Sequence, residues 1–201
     1  FGTRFTVQGI FAEYPSVWMP IIGQHQAQNA TTAIVAVEAF LGRSIADEVL
    51  RAALADAITP GRLQVVSKEP LVVLDGAHNP AGLESLREAM NWHFAAPKAI
   101  GVVGMVGDKD LVSSAQELAG VFEHLIITSV PGGRGIPASE LEAVFTDQGV
   151  LVDEIDEDFW SAHSSAVKLG AETNRPVFVS GSLYLVGALL ERLQDKDDGE
   201  E

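Results

Sequence analysis

Cysteine is absent from the 201 residues. Without it the chain can form neither a disulfide framework nor a thiolate metal site. Basic side chains are scarce: 13 Lys+Arg face 28 Asp+Glu, for a net charge of -15 and a pI near 4.6. That balance argues against general nucleic-acid binding, which needs cations to replace the counterions of the phosphates. Long apolar stretches are missing too. Runs such as Ala99–Val103 and Val177–Val179 fall far short of the ~20 residues of a membrane span. No charged segment leads into an apolar one as a signal peptide would require. The expectation is a soluble, acidic, cytoplasmic protein that binds neither nucleic acid nor membrane.

Several catalytic signatures are also missing. None of the five lysines follows a glycine, so no G-x-x-x-x-G-K-S/T phosphate loop exists in this segment. Gly101, Gly104 and Gly107 have the wrong spacing for a G-x-G-x-x-G dinucleotide fingerprint, which makes a nicotinamide dehydrogenase a poor reading. No G-x-S-x-G elbow supports a hydrolase triad.

What is present is enough apolar material for a core, at 47% of the residues. The chain opens on Phe1 with a strand-like alternation over Arg4–Gln8, an abrupt beginning that reads as part of a longer protein. From His25 the spacing becomes helical, with Ala30, Ile34, Val37 and Leu41 on one stripe and Gly42 as a stop. Ser44 reads as the cap of a second helix that carries Asp47 and Glu48 in its first turn. Thr59-Pro60-Gly61 breaks the pattern, and the domain boundary is placed there. Beyond it strands alternate with helices. The strands are Leu71–Leu74, Ala99–Val103, Leu125–Thr128, a short Val150–Val152 and Val177–Val179. The helices run over Pro80–Trp92, Leu111–Ala119, Ala138–Asp147, Phe159–Leu169 and Leu183–Leu193. This order predicts an α/β fold with a mostly parallel, Rossmann-like sheet and flanking helices. The expected divisions are 1–59, 60–194 and a disordered acidic tail over 195–201.

Ligands of open parallel sheets bind beyond the carboxyl ends of the strands. Four such ends are polar here: Asp75–Pro80, Gly104–Asp110, Ser129–Gly135 and Ser180–Ser182. Together they outline a composite cleft. Each also has a plain reading. Asp75 can start a turn, Asn79-Pro80 can open a helix, His78 can be a turn histidine, and Asp108-Lys109-Asp110 can be a solvated cluster with a cap. The Gly132-Gly133-Arg134-Gly135 run can be a flexible loop. Ser180-Gly181-Ser182 fits either a cap or an anion-binding turn. His25 and Asn29, at i and i+4, share a helix face. A metal pair is rejected because Asn is a poor ligand, which leaves an amide that reads a purine edge or two residues that cap the helix. Arg62 can reach phosphate from an interdomain seam or make a surface ion pair.

Five segments, in order, carry a resemblance to the C-terminal part of folylpolyglutamate synthase and dihydrofolate synthase, a branch of the Mur ligase superfamily. They are Gly23–Ala30 (GQHQAQNA), Pro60–Val66 (PGRLQVV), Leu74–Pro80 (LDGAHNP), Gly104–Asp110 (GMVGDKD) and Ser180–Val186 (SGSLYLV). P-G-R followed by D-G-A-H-N-P marks the superfamily, and the G-M-x-x-D-K-D and G-S-x-Y segments favour its folate branch.

The resemblance implies an ATP-dependent ligase. Folate or dihydropteroate is phosphorylated on a carboxylate, and the amine of L-glutamate attacks the acyl phosphate. It implies that Asn29 contacts adenine, Arg62 reaches the ATP phosphates, and Asp75 meets the ribose. His78 would lie near the terminal phosphate and the incoming glutamate. Ser182, with Ser180 as the alternative, would bind glutamate, and Lys109 would be catalytic. Mg2+ would be held mainly by a missing N-terminal ATPase domain that also carries the phosphate loop. Residues 1–59 would be the end of that domain. Their apolar faces, Ile34 and Val37 included, are expected to lack partners, so the segment should be poorly packed or covered by a second copy. Alone, the chain should ligate nothing. Two other readings remain: a ligase that extends a peptidoglycan precursor, and a non-catalytic Rossmann-like binding module.

Overall fold

Alternating apolar residues near the N-terminus build a small antiparallel hairpin, β1 (Thr3–Gln8) with β2 (Glu13–Met19). A computed structural model describes residues 2–94, 96, 98–107 and 110–199 of the chain. By its contacts the chain divides into two compact units, Phe1–Pro60 and Gly61–Glu201.

In the first unit the hairpin is followed by α1 (Gln24–Leu41) and α2 (Asp47–Ala55). Val7, Tyr14, Val17, Ile34 and Leu50 form a core of their own. Ile34 therefore has partners, contrary to expectation, whereas Val37 and Phe40 are exposed. The buried face of α1 is not the apolar stripe that hydropathy marks out. Glu38 occupies it, fully buried. Its Oε2 accepts from the backbone N–H groups of Ile10 (2.5 Å) and Phe11 (3.1 Å), and its Oε1 accepts from the Tyr14 hydroxyl (2.5 Å). Tyr14 in turn accepts from the Ile45 N–H at 2.8 Å. The Tyr14 hydroxyl and those backbone donors hold the Glu38 carboxyl below the usual range despite burial. One carboxylate on α1 thus ties the hairpin turn, a strand and, through Tyr14, the connection between α1 and α2 together. Ser44 does not cap α2, whose cap position is Ala46.

The second unit is a six-stranded sheet of order β3-β4-β8-β5-β6-β7. Its strands are β3 (Gln64–Lys68), β4 (Leu71–Leu74), β5 (Ile100–Val103), β6 (His124–Thr128), β7 (Glu154–Asp156) and β8 (Val177–Ser180). Only β3 runs antiparallel to its neighbour, as an edge strand paired to β4. β5 and β8 are buried at every residue, as are the last three of β4 and the last four of β6. Strands covered by helices on both faces produce such unbroken apolar runs. Val72, Leu74, Ile100, Val102, Val177 and Val179 pack with Ala162 and Ala166 of α6 (Phe159–Thr173) and Leu185 and Leu189 of α7 (Leu183–Gly199). The other helices are α3 (Pro80–His93), α4 (Leu111–Leu118) and α5 (Ala138–Asp147). Asn79, Asp110 and Asp158 cap α3, α4 and α6 by accepting from Gly82, Ser113 and Ser161 N–H groups.

Helix α7 continues six residues past Leu193, where an unstructured tail was expected. Its Arg192 and Lys196, four apart, lie 5.5 and 6.0 Å from the Trp160 ring centroid, so Lys196, which reads as tail, joins Arg192 over an aromatic of α6. Residues 200–201 lie outside the described residues. Strand β7 falls at 154–156, not 150–152, and β2 and β3 join the elements foreseen. No helix among the described residues is long and apolar enough to cross a membrane.

Beside Trp160 the ring of His163 is stacked at 5.4 Å, with both nitrogens buried and unpartnered. Burial first, then Lys196, lowers its pKa from 6.5 to about 4. The folded state therefore keeps His163 neutral, while the unfolded chain takes up a proton below pH 6.5. The contribution is complete above that pH and is lost as pH falls from 6.5 toward 4, by roughly 3 kcal/mol. Urea denaturation at pH 7 and pH 4.5 should show a loss for the native protein that exceeds that of His163→Phe by more than 1 kcal/mol. Equal losses would show that the residue carries no such linkage.

Candidate functional site

The carboxyl edge of the central strands is assembled around the return of the chain from β7, at one side of the sheet, to β8 in its middle. This crossover inserts the Ser180–Ser182 turn between the loops after β4 and β5. Gly181 N–H donates to Ala77 O at 2.8 Å, the Ser180 hydroxyl donates to the same carbonyl at 3.3 Å, and Gly104 N–H donates to Ser180 O at 3.2 Å. Gly181 has φ +101°, and a Cβ there would sit 2.5 Å from Gly104 O. No other residue fits so close to the neighbouring loop.

Asp75, at the end of β4, is buried with 7% of its surface exposed. Its Oδ2 accepts from Leu63 N–H at 2.8 Å and its Oδ1 from Ala77 N–H at 2.9 Å. Gly76 N–H donates to Gly61 O at 2.7 Å, and the Gln64 amide oxygen accepts from Gly61 N–H at 2.9 Å. Leu63 adopts φ +45°, a left-handed conformation rare for a branched side chain. The carboxylate thus braces the Gly61–Leu63 turn against the loop that bears His78. Arg62, carried by that turn, is half-buried and makes no hydrogen bond or ion pair among the described residues.

His78 Nδ1 lies 2.8 Å from Gly76 O. A carbonyl only accepts, so Nδ1 carries the hydrogen and Nε2 is left for a ligand. Together with Val106, Gly107, Arg134, Ser182, Leu183 and Tyr184, His78 lines a cavity of about 520 Å³. Ser182 is 2% exposed, and its Oγ accepts from Tyr184 N–H at 3.1 Å, capping α7. Arg134 donates from Nη1 to the Tyr184 hydroxyl at 2.9 Å and lies 5.6 Å from that ring's centroid. Its remaining guanidinium donors are available to an anion.

Of the sequence candidates, the structure brings His78 and Ser182 to one cavity. It places Ser180 in the brace beneath, where its hydroxyl is spent on Ala77 O, so the two buried serines differ in what their hydroxyls do. Asn29 lies in the first unit, exposed on α1, where its amide donates to Gln26 Oε1 at 3.4 Å. Neither it nor His25 caps that helix, whose cap is Gly23 without a side-chain bond. Lys109 lies outside the described residues. Arg134 and Tyr184 were not foreseen as lining residues. The signal for Arg134 was its place after two glycines at a strand end, for Tyr184 its place two residues after Ser182. Among the described residues no group of three or more His, Asp or Glu side chains could hold a metal ion.

Asp75→Ala should destabilise the second unit by about 3 kcal/mol, because two buried N–H groups lose their acceptor. The check is the urea midpoint at an unchanged m-value. A loss under 1 kcal/mol would mean that the turn holds without the carboxylate.

Residues 61–183 match the family model described as Mur ligase, glutamate ligase domain. The folylpolyglutamate synthase of Lacticaseibacillus casei is 30% identical over 196 residues, which is 96% of this chain and 44% of that protein. The dihydrofolate synthase/folylpolyglutamate synthase of Bacillus subtilis is 32% identical over 200 residues, 96% of this chain and 45% of its own length. A structure of Mycobacterium tuberculosis folylpolyglutamate synthase complexed with ADP and AMPPCP superposes with a TM-score of 0.88 at 28% identity, covering 94% of this chain and 44% of that one. The chain thus spans less than half the length of these relatives.

Proposed function

Because the chain belongs to the Mur ligase family through its glutamate ligase domain, we propose that it is a portion of an ATP-dependent ligase that adds L-glutamate to a folate. The observation that carries this reading is the cavity that gathers His78 Nε2, the Ser182 hydroxyl and the Arg134 guanidinium at one sheet edge. The acceptor, dihydropteroate or a reduced folate, attacks the terminal phosphorus of ATP through its carboxylate oxygen, and ADP leaves. The amine of glutamate then attacks the acyl carbon, inorganic phosphate departs and the amide forms. The glutamate ammonium gives one proton to solvent to become the attacking amine, and the proton it sheds as the C–N bond forms goes to His78 Nε2 and from there to solvent.

Arg134 offers a glutamate carboxylate paired donors, and Ser182 keeps a hydroxyl proton to give. Arg62, without a hydrogen-bond or ion-pair partner among the described residues, answers the charge of the phosphates, and Asn29 the adenine. Asp75 meets the ribose as well as bracing the turn. The role assigned to Lys109 rests on the D-K-D resemblance alone. When bound, Mg2+ neutralises phosphate charge. The described residues do not fit it, and no step here runs through it. The phosphate loop and the metal ligands belong to an ATPase domain of which residues 1–59 form the end, so the chain alone ligates nothing.

The test is MgATP-dependent incorporation of labelled L-glutamate by the longest protein that the reading frame encodes. Dihydropteroate, tetrahydrofolate and a muramyl peptide precursor serve as acceptors. His78→Ala should lower kcat by about 100-fold or more, the usual loss for a general base. Arg134→Ala should instead raise the KM for glutamate by about tenfold. Full activity in His78→Ala, extension of the muramyl acceptor only, or ligation by the isolated chain would each overturn the reading.

A further inference from the structure

The loop that carries Arg134 runs from Val130 to Pro137 and is held at three places. Gly135 forms an antiparallel bridge with Val106, and Ile136 N–H donates to Met105 O at 3.1 Å, which fixes the arm nearest the cavity. At the tip, Gly132 and Gly133 take φ of +90° and +75° in open space. The two ends of the loop meet at a single carboxylate, Glu157, from the connection between β7 and α6.

Glu157 Oε2 accepts from the Ser129 hydroxyl at one end and from Ala138 N–H, at 3.2 Å, at the other. Ser129 Oγ also accepts from Ala138 N–H at 3.1 Å and faces Ile136 O at 3.2 Å. With one proton to give, the hydroxyl donates to the carboxylate, the stronger acceptor. Ala138 begins α5, whose cap position is Pro137, a residue with no side-chain acceptor. Glu157 therefore caps a helix that cannot cap itself, where a negative charge also meets the helix dipole. The Ser129 hydroxyl first, then the backbone N–H groups of Ala138 and Ser139, hold the Glu157 carboxyl below its ordinary range.

We propose that Glu157 is a positioning residue for the ligation: by closing the base of the Val130–Pro137 loop through Ser129 and Ala138, it sets the place of Arg134 in the cavity. The inference rests on the ligase reading above, in which Arg134 holds a carboxylate of the incoming amino acid. Glu157 is not among the described residues that line the cavity, so its removal acts through the placement of Arg134.

The experiment compares Glu157→Ala, Glu157→Gln, Arg134→Ala and the Glu157→Ala/Arg134→Ala pair in the longest protein that the reading frame encodes. Glu157→Ala should raise the KM for glutamate about five-fold, equivalent to roughly 1 kcal/mol, with kcat and the KM for ATP within about two-fold. Glu157→Gln, which keeps an oxygen for Ala138 N–H, should restore most of the loss. The pair should be no worse than Arg134→Ala alone, as required if Glu157 acts through Arg134. An additive pair, or a loss confined to kcat, would overturn the proposal. Hydrogen exchange gives an arm independent of activity: Glu157→Ala should speed exchange over 130–137 by more than the accompanying shift in urea midpoint, that of a lost cap, accounts for. If the native protein incorporates no glutamate, the ligase reading fails and the exchange result alone decides the clamp. Faster loop exchange then supports it, and unchanged exchange overturns it.

Discussion

A single buried carboxylate, that of Asp75, fastens the turn before β3 to the loop after β4, just beyond the point where the two strands pair. Its oxygens accept from Leu63 and Ala77, one on each side, while Gly76 and Gly61 are bonded directly. A backbone N–H in a turn with φ +45° has no ladder partner, and leaving it dry would cost more than the bond itself contributes. The carboxylate removes that penalty for Leu63 and fixes the loop over which His78 folds back onto Gly76 O. Arg62 and His78 are thus placed by the same group. Its double task also means that loss of activity in an Asp75 variant would not by itself identify a ligand contact.

Ala77 O plays the matching role one step further along. It accepts from Gly181 N–H and from the Ser180 hydroxyl, so the β4 loop is bonded to the β8 loop as well as to the turn before β3. Most of the polarity at this edge is consumed internally. Among the described residues, what lines the cavity is the remainder: an imidazole, a serine hydroxyl, a guanidinium and a phenol. Polar strand ends in open sheets are therefore of two kinds, those that hold neighbouring loops together and those left over for a ligand. Both serines are buried and look alike in sequence; what separates them is that the Ser180 hydroxyl is spent on Ala77 O, whereas Ser182 accepts from Tyr184 N–H and lines the cavity.

The parallel sheet was legible because strands covered on both faces leave unbroken apolar runs, as in Leu71–Leu74 and Leu125–Thr128. Asn79-Pro80 and Asp110 were legible as helix openings because capping is local chemistry. Edge strand β3 was not, since Gln64–Lys68 is half-buried, breaks its register between Val65 and Ser67, and alternates weakly. Glu38 escaped for a different reason. A carboxylate that closes three hydrogen bonds from residues 24–28 positions away leaves no trace in hydropathy, and the apolar stripe drawn through Val37 and Leu41 pointed to the exposed side. Arg134 was hidden by its glycines, which read as flexibility. Its partner Tyr184, and the bridge of the neighbouring Gly135 to Val106, are set by tertiary pairing that no local pattern encodes.

The net charge of -15 sets a further condition on any site for an anion. At physiological ionic strength the screening length is about 8 Å, so distant surface carboxylates are weakly felt inside a cavity. Those that line it would be felt in full. Although 28 of the 201 residues are Asp or Glu, the lining residues among the described ones include none, and the formal charge they bring is that of Arg134. The acidic groups nearest in function, Asp75 and Glu157, have their oxygens turned to backbone N–H groups and a serine hydroxyl. Their charge is answered by short hydrogen bonds before it can oppose a ligand. An acidic chain can thus present a locally cationic pocket without any excess of basic residues, provided that its nearby carboxylates are put to use as braces.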